Sequence, residues 1–345
     1  MKDDMSPFIS FREILGQLLA HGHLSVAQMR QMMQNLMRGE ASEVEASAFL
    51  IALRMKGETA EEIATAASVL REHMVSWDSG HSHVLDTCGT GGDGTGTFNI
   101  STATALVVAA CGVPVVKHGN RSVSSRSGSA DVLVELGVRI EGDAECGRRC
   151  LKSTNIAFCF APLFHPAMRH VAPIRKQLGV PTIFNCLGPL ANPAKADYQL
   201  LGVGRLKLLD LLAGALVQLG TKHALLVCGE DGLDEVSLSA PTQVRQVRDG
   251  QITSWQWTPA DFDLEPCTLQ DLQADSPEES ARIIRDVLSG QDGPALRIVL
   301  ANAAAGLVAA NRVETPRQGV DLAREAIRSG KALAGLQTLA KESQN

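Results

Sequence analysis

The sequence predicts an α/β protein in which a small N-terminal helical domain precedes a larger domain with a mainly parallel central sheet flanked by helices. Three helix-capping motifs stand in a row near the start of the chain. Further on, short apolar runs alternate with helical patterns, which is typical of parallel strands joined by helices. A polar linker at residues 77–83 separates the two regions. We therefore expect a helical domain at 1–80 and an α/β domain at 81–345.

The helical domain is predicted to contain four helices joined by short turns. Ser25, Ser42 and Thr59 are each followed three residues later by Gln or Glu, a pattern in which two residues cap a helix start reciprocally. An earlier helix at about 11–20 completes the four. One methionine-rich face has the spacing of a helix face that packs against its neighbours: Met29, Met32, Met33 and Leu36. Such a face is either core or a subunit contact, with core as the default.

In the larger domain, four short apolar runs are predicted to be strands: 113–116, 157–160, 224–228 and 296–300. In α/β proteins, ligands bind at the bends that follow the carboxyl ends of such strands. The bends are therefore the places to look for functional residues.

Composition and charge exclude several classes of protein. Of the 345 residues, 45% are hydrophobic and 20% are charged, as in ordinary globular proteins. The net charge of −6 argues against a nucleic-acid partner held by bulk electrostatics. Neither a signal peptide nor an apolar run of membrane-spanning length is present, so we expect no membrane contact and a cytoplasmic location. Eight cysteines include no Cys-x-x-Cys pair, which predicts reduced thiols and no zinc site.

The first candidate site is the glycine-rich stretch at 86–102, DTCGTGGDGTGTFNIST. A short apolar run leads into it, five glycines lie between Gly89 and Gly96, and an alanine-rich helical pattern begins near Ser101. Glycine lets the backbone approach a ligand closely, and the unpaired N–H groups of a helix start favour negative charge. The stretch therefore predicts an anion site, with a flexible surface loop as the alternative.

Two familiar phosphate motifs are excluded in this stretch. Gly89, Gly91 and Gly94 match the dinucleotide pattern G-x-G-x-x-G, but that pattern requires an acidic residue about 20 positions further on. The next strand instead leads into Lys117 and His118, which suit a phosphate. Glycines 89 and 94 also have Walker-A spacing, yet a threonine stands where the lysine belongs.

The second candidate stretch, 117–137, combines positive charge with hydroxyl groups. Lys117, Arg121 and Arg126 supply the charge. The hydroxyls come from Ser122, Ser124, Ser125, Ser127 and Ser129. This density of phosphate-compatible groups, just before a predicted helix near residue 129, favours a polyanion site over a solvated loop. Two anion sites on neighbouring strands suggest a ligand with phosphates at both ends.

The third stretch, 165–193, contains five prolines and two internal glycines and suggests a hinge or a wall between modules. Arg175 follows Pro173, a residue that can open a helix, so its side chain is expected to project from a first helical turn. Arginine binds a planar carboxylate through a bidentate fork. Taken alone, Arg175 is a surface ion-pair residue and His165 a structural one.

The fourth stretch, 229–242, follows an apolar run and carries the adjacent acids Asp234 and Glu235. An isolated acidic pair is usually exposed charge. Beside two anion sites it suits magnesium, which takes oxygen ligands and usually combines one or two carboxylates with substrate phosphates and water.

These stretches, in this order and behind a helical module, resemble the anthranilate phosphoribosyltransferase family. The motifs that carry the resemblance are GTGGD, KHGNR with SSRSGSADVL, HPAM followed by APIRK, GPLANP and GLDE. The resemblance implies a fold like those of nucleoside phosphorylases and phosphoribosyltransferases, and a homodimer formed through the helical domain with a contribution from 170–190. It also implies transfer of phosphoribose from phosphoribosyl pyrophosphate (PRPP) to the amine of anthranilate, with Mg²⁺, in tryptophan biosynthesis.

The resemblance further implies a set of site residues. Its PRPP contacts fall on Gly89, Gly92, Asp93, Thr97, Asn99, Ile100, Ser101, Thr102, Lys117, His118, Gly119, Asn120, Arg121, Ser122, Val123, Ser124, Ser125 and Ser129. Its anthranilate contacts fall on Gly89, Asn120 and Arg175, with His118 and His165 nearby. Its metal ligands fall on Ser101, Asp234 and Glu235. One departure is Ala240, where glycine is expected before Pro241, and it affects only a turn.

No general acid or base is expected, because an aromatic amine is largely unprotonated at neutral pH. Positioning and metal electrostatics should therefore supply the catalysis. Two alternatives remain at this point. A pyrimidine nucleoside phosphorylase shares the architecture but would use inorganic phosphate, and a non-enzymatic nucleic-acid-binding protein would show a broad basic surface and degraded metal motifs.

Overall fold

The computed structural model describes residues 9–121 and 127–345. The N-terminal region forms four helices, as predicted: α1 at Phe11–Leu19, α2 at Val26–Arg38, α3 at Glu43–Lys56 and α4 at Ala60–Glu72. All three predicted capping boxes are present, and one more, Ser10 with Glu13, begins α1. The methionine-rich face of α2 is buried within the chain.

In the part of the chain that the structure describes, seven strands form one sheet: β1 at Leu85–Gly89, β2 at Val115–Gly119, β3 at Ile156–Phe160, β4 at Tyr198–Gly202, β5 at His223–Gly229, β6 at Thr242–Arg248 and β7 at Gln251–Trp257. Their order is β3-β2-β1-β4-β5-β6-β7. The first five strands are parallel, whereas β6 and β7 add an antiparallel hairpin at one edge. The prediction of a mainly parallel sheet is confirmed, although β4 and the hairpin were not predicted.

The remaining helices are α5 at Ile100–Ala110, α6 at Ser129–Glu135, α7 at Ala144–Thr154, α8 at Ala161–Phe164, α9 at Ala172–Leu178, α10 at Phe184–Leu187, α11 at Leu209–Gln218, α12 at Pro277–Leu288, α13 at Pro294–Ala309, α14 at Pro316–Arg328 and α15 at Lys331–Gln344. Helices α5 and α13 pack together on one face of the sheet. On the other face, α11 packs against α4, so one apolar core joins the four N-terminal helices to the sheet.

The prediction of a strand at 296–300 is wrong, because these residues lie inside α13. A five-residue apolar run does not by itself distinguish a buried strand from one stretch of a buried helix. The wider sequence settles the matter: Pro294 occupies the first turn of the helix, and the apolar stretch then continues through alanines to Ala309. Both faces of α13 are largely buried, which removes the periodicity that would have marked a helix.

The sheet also shows where a ligand should bind. The chain leaves β1 for β2 on one side, while β4 lies on the other side, so the strand order reverses at β1. Crevices at the carboxyl ends of strands beside such a reversal are the usual ligand sites of open α/β sheets. Here those ends are level with one another, with Gly89 opposite Gly202 and Gly119 opposite Phe160.

Three further expectations can be compared with the structure. The segment at 73–84, between α4 and β1, contains neither helix nor strand, and the expected domain boundary falls within it. All eight cysteines are free thiols. Across residues 9–121 and 127–345, none of the helices combines the length and the apolar character needed to cross a membrane.

Candidate active site

A cleft of about 400 Å³ opens at the carboxyl ends of β1 and β2. It brings together sixteen of the residues that the sequence analysis singled out: Gly89, Gly92, Asp93, Thr97, Asn99, Ile100, Ser101, Lys117, His118, Gly119, Asn120, Arg121, Ser129, Arg175, Asp234 and Glu235. These residues come from all four candidate stretches. The fold therefore gathers segments that are more than 100 positions apart in the chain into one cavity.

Of the expected site residues that the structure describes, Thr102 and His165 do not line this cleft. Thr102 is buried in the first turn of α5, where its backbone N–H and hydroxyl both donate to the Oδ1 of Asn99, the residue that caps this helix. His165 lies behind the cleft, with its ring centroid 5.0 Å from that of His118. Four other expected site residues lie outside the described residues: Ser122, Val123, Ser124 and Ser125.

The glycine-rich stretch turns sharply between β1 and α5. Gly91, Gly92, Gly94 and Gly96 all have positive φ angles, a conformation that side chains other than glycine rarely adopt. The backbone N–H of Gly91 donates to the Oδ2 of Asp234 at 3.0 Å. The bend thus presents its backbone to the cleft and at the same time holds one of the acids.

Asp234 approaches the sheet so closely that only glycine fits beside it. A Cβ atom on Gly89 would lie 2.5 Å from the Asp234 carboxylate, and one on Gly202 would lie 1.6 Å from its carbonyl oxygen. Sequence reasoning identified Gly89 but missed Gly202. The sequence does show that Gly202 ends the mostly apolar run at 198–202. A glycine at such a position indicates a close approach by another segment, but it does not identify that segment.

The acids of the cleft are crowded and poorly solvated. Burial, and then the carboxylate of Asp93, raise the pKa of Asp234 to about 7. Burial and the neighbouring Asp234 raise the pKa of Glu235 well above its usual range. Crowded carboxylates with raised pKa values are typical of sites that a bound cation would stabilise.

Lys117 is the buried cation beside these acids. Its Nζ donates to the carbonyl oxygen of Thr87 and to the Ser101 hydroxyl, the latter at 3.1 Å. Burial lowers the pKa of this ammonium, while Asp86, Glu235 and Asp234 oppose that shift. One ammonium therefore faces several carboxylates. This excess of negative charge favours the binding of an additional cation.

The donor set fits magnesium that shares its coordination with a ligand. Across the described ranges, no three His, Cys, Asp or Glu side chains are arranged to hold a metal ion by themselves. Mg²⁺ usually takes one or two carboxylates and completes its shell with phosphate and water oxygens. The adjacent Asp234 and Glu235, with the Ser101 hydroxyl in the same cleft, supply such an incomplete set.

The side of the cleft that is lined by α8, α9 and α10 carries apolar side chains, the amide of Asn185 and one arginine. Arg175 projects from α9, whose first turn contains Pro173 as predicted, and its guanidinium lies 5.4 Å from the ring centroid of Phe184. Phe184 and Pro189 line the cleft but were not identified from the sequence. The Pro-rich stretch was recognised as a wall, but the side chains facing inward depend on how α9 and α10 pack.

Two uncharged imidazoles lie at this side, His118 in the cleft and His165 behind it. Burial lowers the pKa of His118 to about 3 and that of His165 to about 4, so both are neutral at pH 7. The Nδ1 of His118 lies 3.2 Å from the carbonyl oxygen of Gly188, which makes this nitrogen the donor in the neutral ring. Among the described residues, this side therefore offers flat surfaces and one fixed positive charge, that of Arg175, the arrangement that suits an aromatic carboxylate.

The chain matches two models of the glycosyl transferase family, the helical bundle domain at residues 12–74 and the a/b domain at residues 81–333. It is 48% identical over 321 residues to an anthranilate phosphoribosyltransferase from Symbiobacterium thermophilum, which covers 93% of this chain and 94% of that protein.

Similar solved structures come from the same family of enzymes as the similar sequences. The anthranilate phosphoribosyltransferase of Thermus thermophilus superposes with a TM-score of 0.90 at 41% identity, covering 96% of this chain and 99% of that one. The Saccharomyces cerevisiae enzyme in complex with PRPP and Mg gives a TM-score of 0.89 at 31% identity, covering 97% and 98%. Another structure of the yeast enzyme contains 4-fluoroanthranilate. This chain belongs to the anthranilate phosphoribosyltransferase family.

Proposed function

We propose that the cleft transfers the 5-phosphoribosyl group of PRPP to the amine of anthranilate and releases pyrophosphate, a reaction of tryptophan biosynthesis. The observation that carries this proposal is the division of one cavity into two chemically different sides. Glycine backbone, Lys117 and three carboxylates form one side, and Arg175 with Phe184 forms the other. A polyphosphate donor fits the first side, and an aromatic carboxylate fits the second.

On the donor side, the proposed contacts are the glycine-rich bend, the amino end of α5 and the residues from Lys117 to Ser125, together with Ser129. Unpaired backbone N–H groups at a helix start favour phosphate oxygens. The yeast relative binds PRPP and Mg within the same fold, which supports the assignment. The donor should lie across the carboxyl ends of β1 and β2.

Mg²⁺ is the proposed cofactor, held by Asp234, Glu235 and Ser101 together with the donor. When bound, it would supply positive charge to the departing pyrophosphate. The residues of the chain then have two tasks. The carboxylates fix the polyphosphate end of the donor indirectly, and the backbone N–H groups of the glycine bend stabilise the charge that develops there.

On the acceptor side, the proposed contacts are Gly89, Asn120 and Arg175, with His118 and His165 nearby. Neutral imidazoles leave the single charge of Arg175 to orient the carboxylate. No proton needs to leave the amine before it attacks, so holding the two substrates in line provides the catalysis. The yeast relative with 4-fluoroanthranilate supports an aromatic acceptor in this fold.

A direct assay tests this function. Purified protein mixed with anthranilate, PRPP and Mg²⁺ should convert anthranilate fluorescence into that of the phosphoribosylated product, and pyrophosphate should appear in equal amount. Chelation of Mg²⁺ with EDTA should stop the reaction. Phosphorolysis of thymidine, without turnover of anthranilate, would instead identify a nucleoside phosphorylase.

Substitution of Arg175 with alanine should raise the KM for anthranilate roughly ten- to hundredfold and leave that for PRPP nearly unchanged. A hydrogen bond to a charged group contributes about 1.5–3 kcal/mol, which corresponds to that range. Steady-state rates with each substrate varied in turn measure the effect. Lys176→Ala, an exposed neighbour on α9, is the control. Equal use of aniline and anthranilate by the unmutated protein would refute the role of Arg175.

We further propose a cytoplasmic homodimer formed through the helical domain, 1–80, with a contribution from 170–190, while the α/β domain, 81–345, holds the substrates. One apolar stripe supports the interface. Along α3, four residues at spacings of four, three and four remain incompletely buried in the single chain: Val44, Ala48, Ile51 and Met55. Val44 is 79% exposed and Met55 is 76% exposed. Val180, within the second segment, is also exposed.

The dimer is expected to dissociate when this stripe is made polar. Val44→Asp combined with Met55→Asp should halve the molar mass measured by light scattering, because buried aspartates would be desolvated without partners. Ile252→Asp, at an equally apolar but distant position on β7, should leave the mass of a dimer unchanged. An unmutated protein with the mass of a monomer would exclude the proposal.

A further inference from the structure

Asp131, on α6, does not line the cleft but joins two residues that do. Its Oδ1 lies 3.2 Å from the Nη1 of Arg121, and its Oδ2 accepts a hydrogen bond from the backbone N–H of Gly128 at 3.1 Å. Arg121 and Gly128 both line the cleft. One carboxylate thus contacts both Arg121 and Gly128.

Arg121 is held from several sides. Its guanidinium lies 5.9 Å from the ring centroid of Phe160, at the end of β3. The backbone just before it is fixed as well, because the N–H of Ala130 donates to the carbonyl oxygen of Asn120. The Arg121 side chain is nevertheless 53% exposed, whereas that of Asp131 is only 20% exposed. Fixing a half-exposed arginine in one direction costs side-chain entropy. The better shielded carboxylate of Asp131 supplies the contact that holds Arg121 in that direction.

Arg121 is also the most exposed cation among the described residues that line the cleft. Among the described residues that line the cleft, Lys117, Arg121 and Arg175 carry positive charge at neutral pH. Lys117 is bound to Thr87 and Ser101 inside the sheet. Arg175 stacks on Phe184 on the acceptor side. Arg121 is therefore the cation placed at the outer part of the donor side.

We propose that Asp131 is a positioning residue that orients the Arg121 guanidinium toward the phosphates of PRPP. This inference rests on the proposed function and adds a residue that touches neither substrate. Asp131 binds one N–H of the guanidinium, and the fork-shaped group has further N–H donors that remain directed at the cleft. A bidentate contact with phosphate then forms without first ordering the side chain.

Substitution with asparagine separates this role from helix capping. Asp131→Asn keeps an oxygen for the N–H of Gly128 but removes the charge that holds Arg121. The KM for PRPP should rise roughly three- to tenfold, as expected for a partly exposed ion pair, and the KM for anthranilate should stay within about twofold. Asp210→Asn is the matched control, since Asp210 is paired with Arg245 at 2.6 Å and does not line the cleft.

A double-mutant cycle tests whether Asp131 acts through Arg121. Calorimetric binding of PRPP with Mg²⁺, without acceptor, should weaken in Arg121→Gln, and adding Asp131→Asn should then weaken it no further. The inference is overturned if Asp131→Asn keeps its full effect in that background, if it raises both KM values equally, or if it changes neither.

The same cycle separates this inference from the proposed function. If the unmutated protein binds PRPP but does not turn over anthranilate, the proposed function fails, and the binding cycle still decides on Asp131. If the unmutated protein does not bind PRPP, both are overturned.

Discussion

The double substitution Asp234→Asn with Glu235→Gln is expected to lower the transferase rate by at least roughly 10²-fold while leaving the fold intact. Both side chains line the cleft, Glu235 is buried, and Asp234 is held by the N–H of Gly91. Asparagine and glutamine keep the shape and an oxygen acceptor, so the backbone contact is preserved. What the variant loses is the negative charge that attracts a divalent cation.

The electrostatics of the donor side explain why the effect should be large. Two or three carboxylates next to a polyphosphate would repel it, and burial intensifies that repulsion. Their presence in this cleft therefore makes sense only if a cation lies between them and the donor. Without the carboxylates, the cation is held by phosphate and water alone, and the pyrophosphate loses its fixed position relative to the acceptor.

Two measurements separate this effect from a general loss of structure. Initial rates across a magnesium titration should show a lower maximum and a higher magnesium requirement in the variant. Calorimetric titration of Mg²⁺ with PRPP should show weaker binding, while the unfolding temperature is not lowered. Glu230→Gln, an exposed neighbouring acid that does not line the cleft, is the control. An unchanged rate and magnesium dependence in the double variant would show that these acids are not ligands.

Local signals in the sequence predicted the N-terminal helices well. A capping box involves residues three positions apart, so its geometry does not depend on the remainder of the fold. Ser25, Ser42 and Thr59 were therefore sufficient to locate three helix starts. The run at 296–300 failed for the opposite reason. Whether a short apolar run is a strand or part of a helix depends on what surrounds it in space, and only its flanks, Pro294 and the alanines that follow the run, favoured the helix.

The part of the candidate site that lies at the carboxyl ends of the parallel strands could be predicted from the sequence. Stretches that follow β1, β2 and β5 must emerge at the same edge of the sheet, so acids and phosphate-compatible residues far apart in sequence were expected to meet there. Contacts that cross between segments were not predictable. The fit of Asp234 against Gly202, the position of Phe184 under Arg175 and the link from Asp131 to Arg121 each depend on packing between elements.

Lys117→Met is expected to lower kcat/KM for PRPP by roughly 10²-fold and to change the KM for anthranilate by only a few-fold. The ammonium is buried between the Thr87 carbonyl and the Ser101 hydroxyl, beside the acids of the donor side. Its removal leaves the polyphosphate beside buried carboxylates whose charge the ammonium no longer offsets. Methionine keeps most of the length and volume of the lysine stem, so the loss is mainly one of charge.

The same change also removes the partner of a buried acid, and a second substitution separates stability from binding. Asp86 is fully buried and interacts electrostatically with Lys117, so Lys117→Met should lower the unfolding temperature. Adding Asp86→Asn should raise the unfolding temperature part of the way back. The second substitution replaces the unpaired buried carboxylate with a neutral amide. Donor affinity should remain low in the double variant, since the missing ammonium is the one that offsets the repulsion between the cleft carboxylates and the phosphates. If donor affinity recovered together with stability, or if both substrates were weakened equally from the start, Lys117 would be a structural residue and not a donor contact.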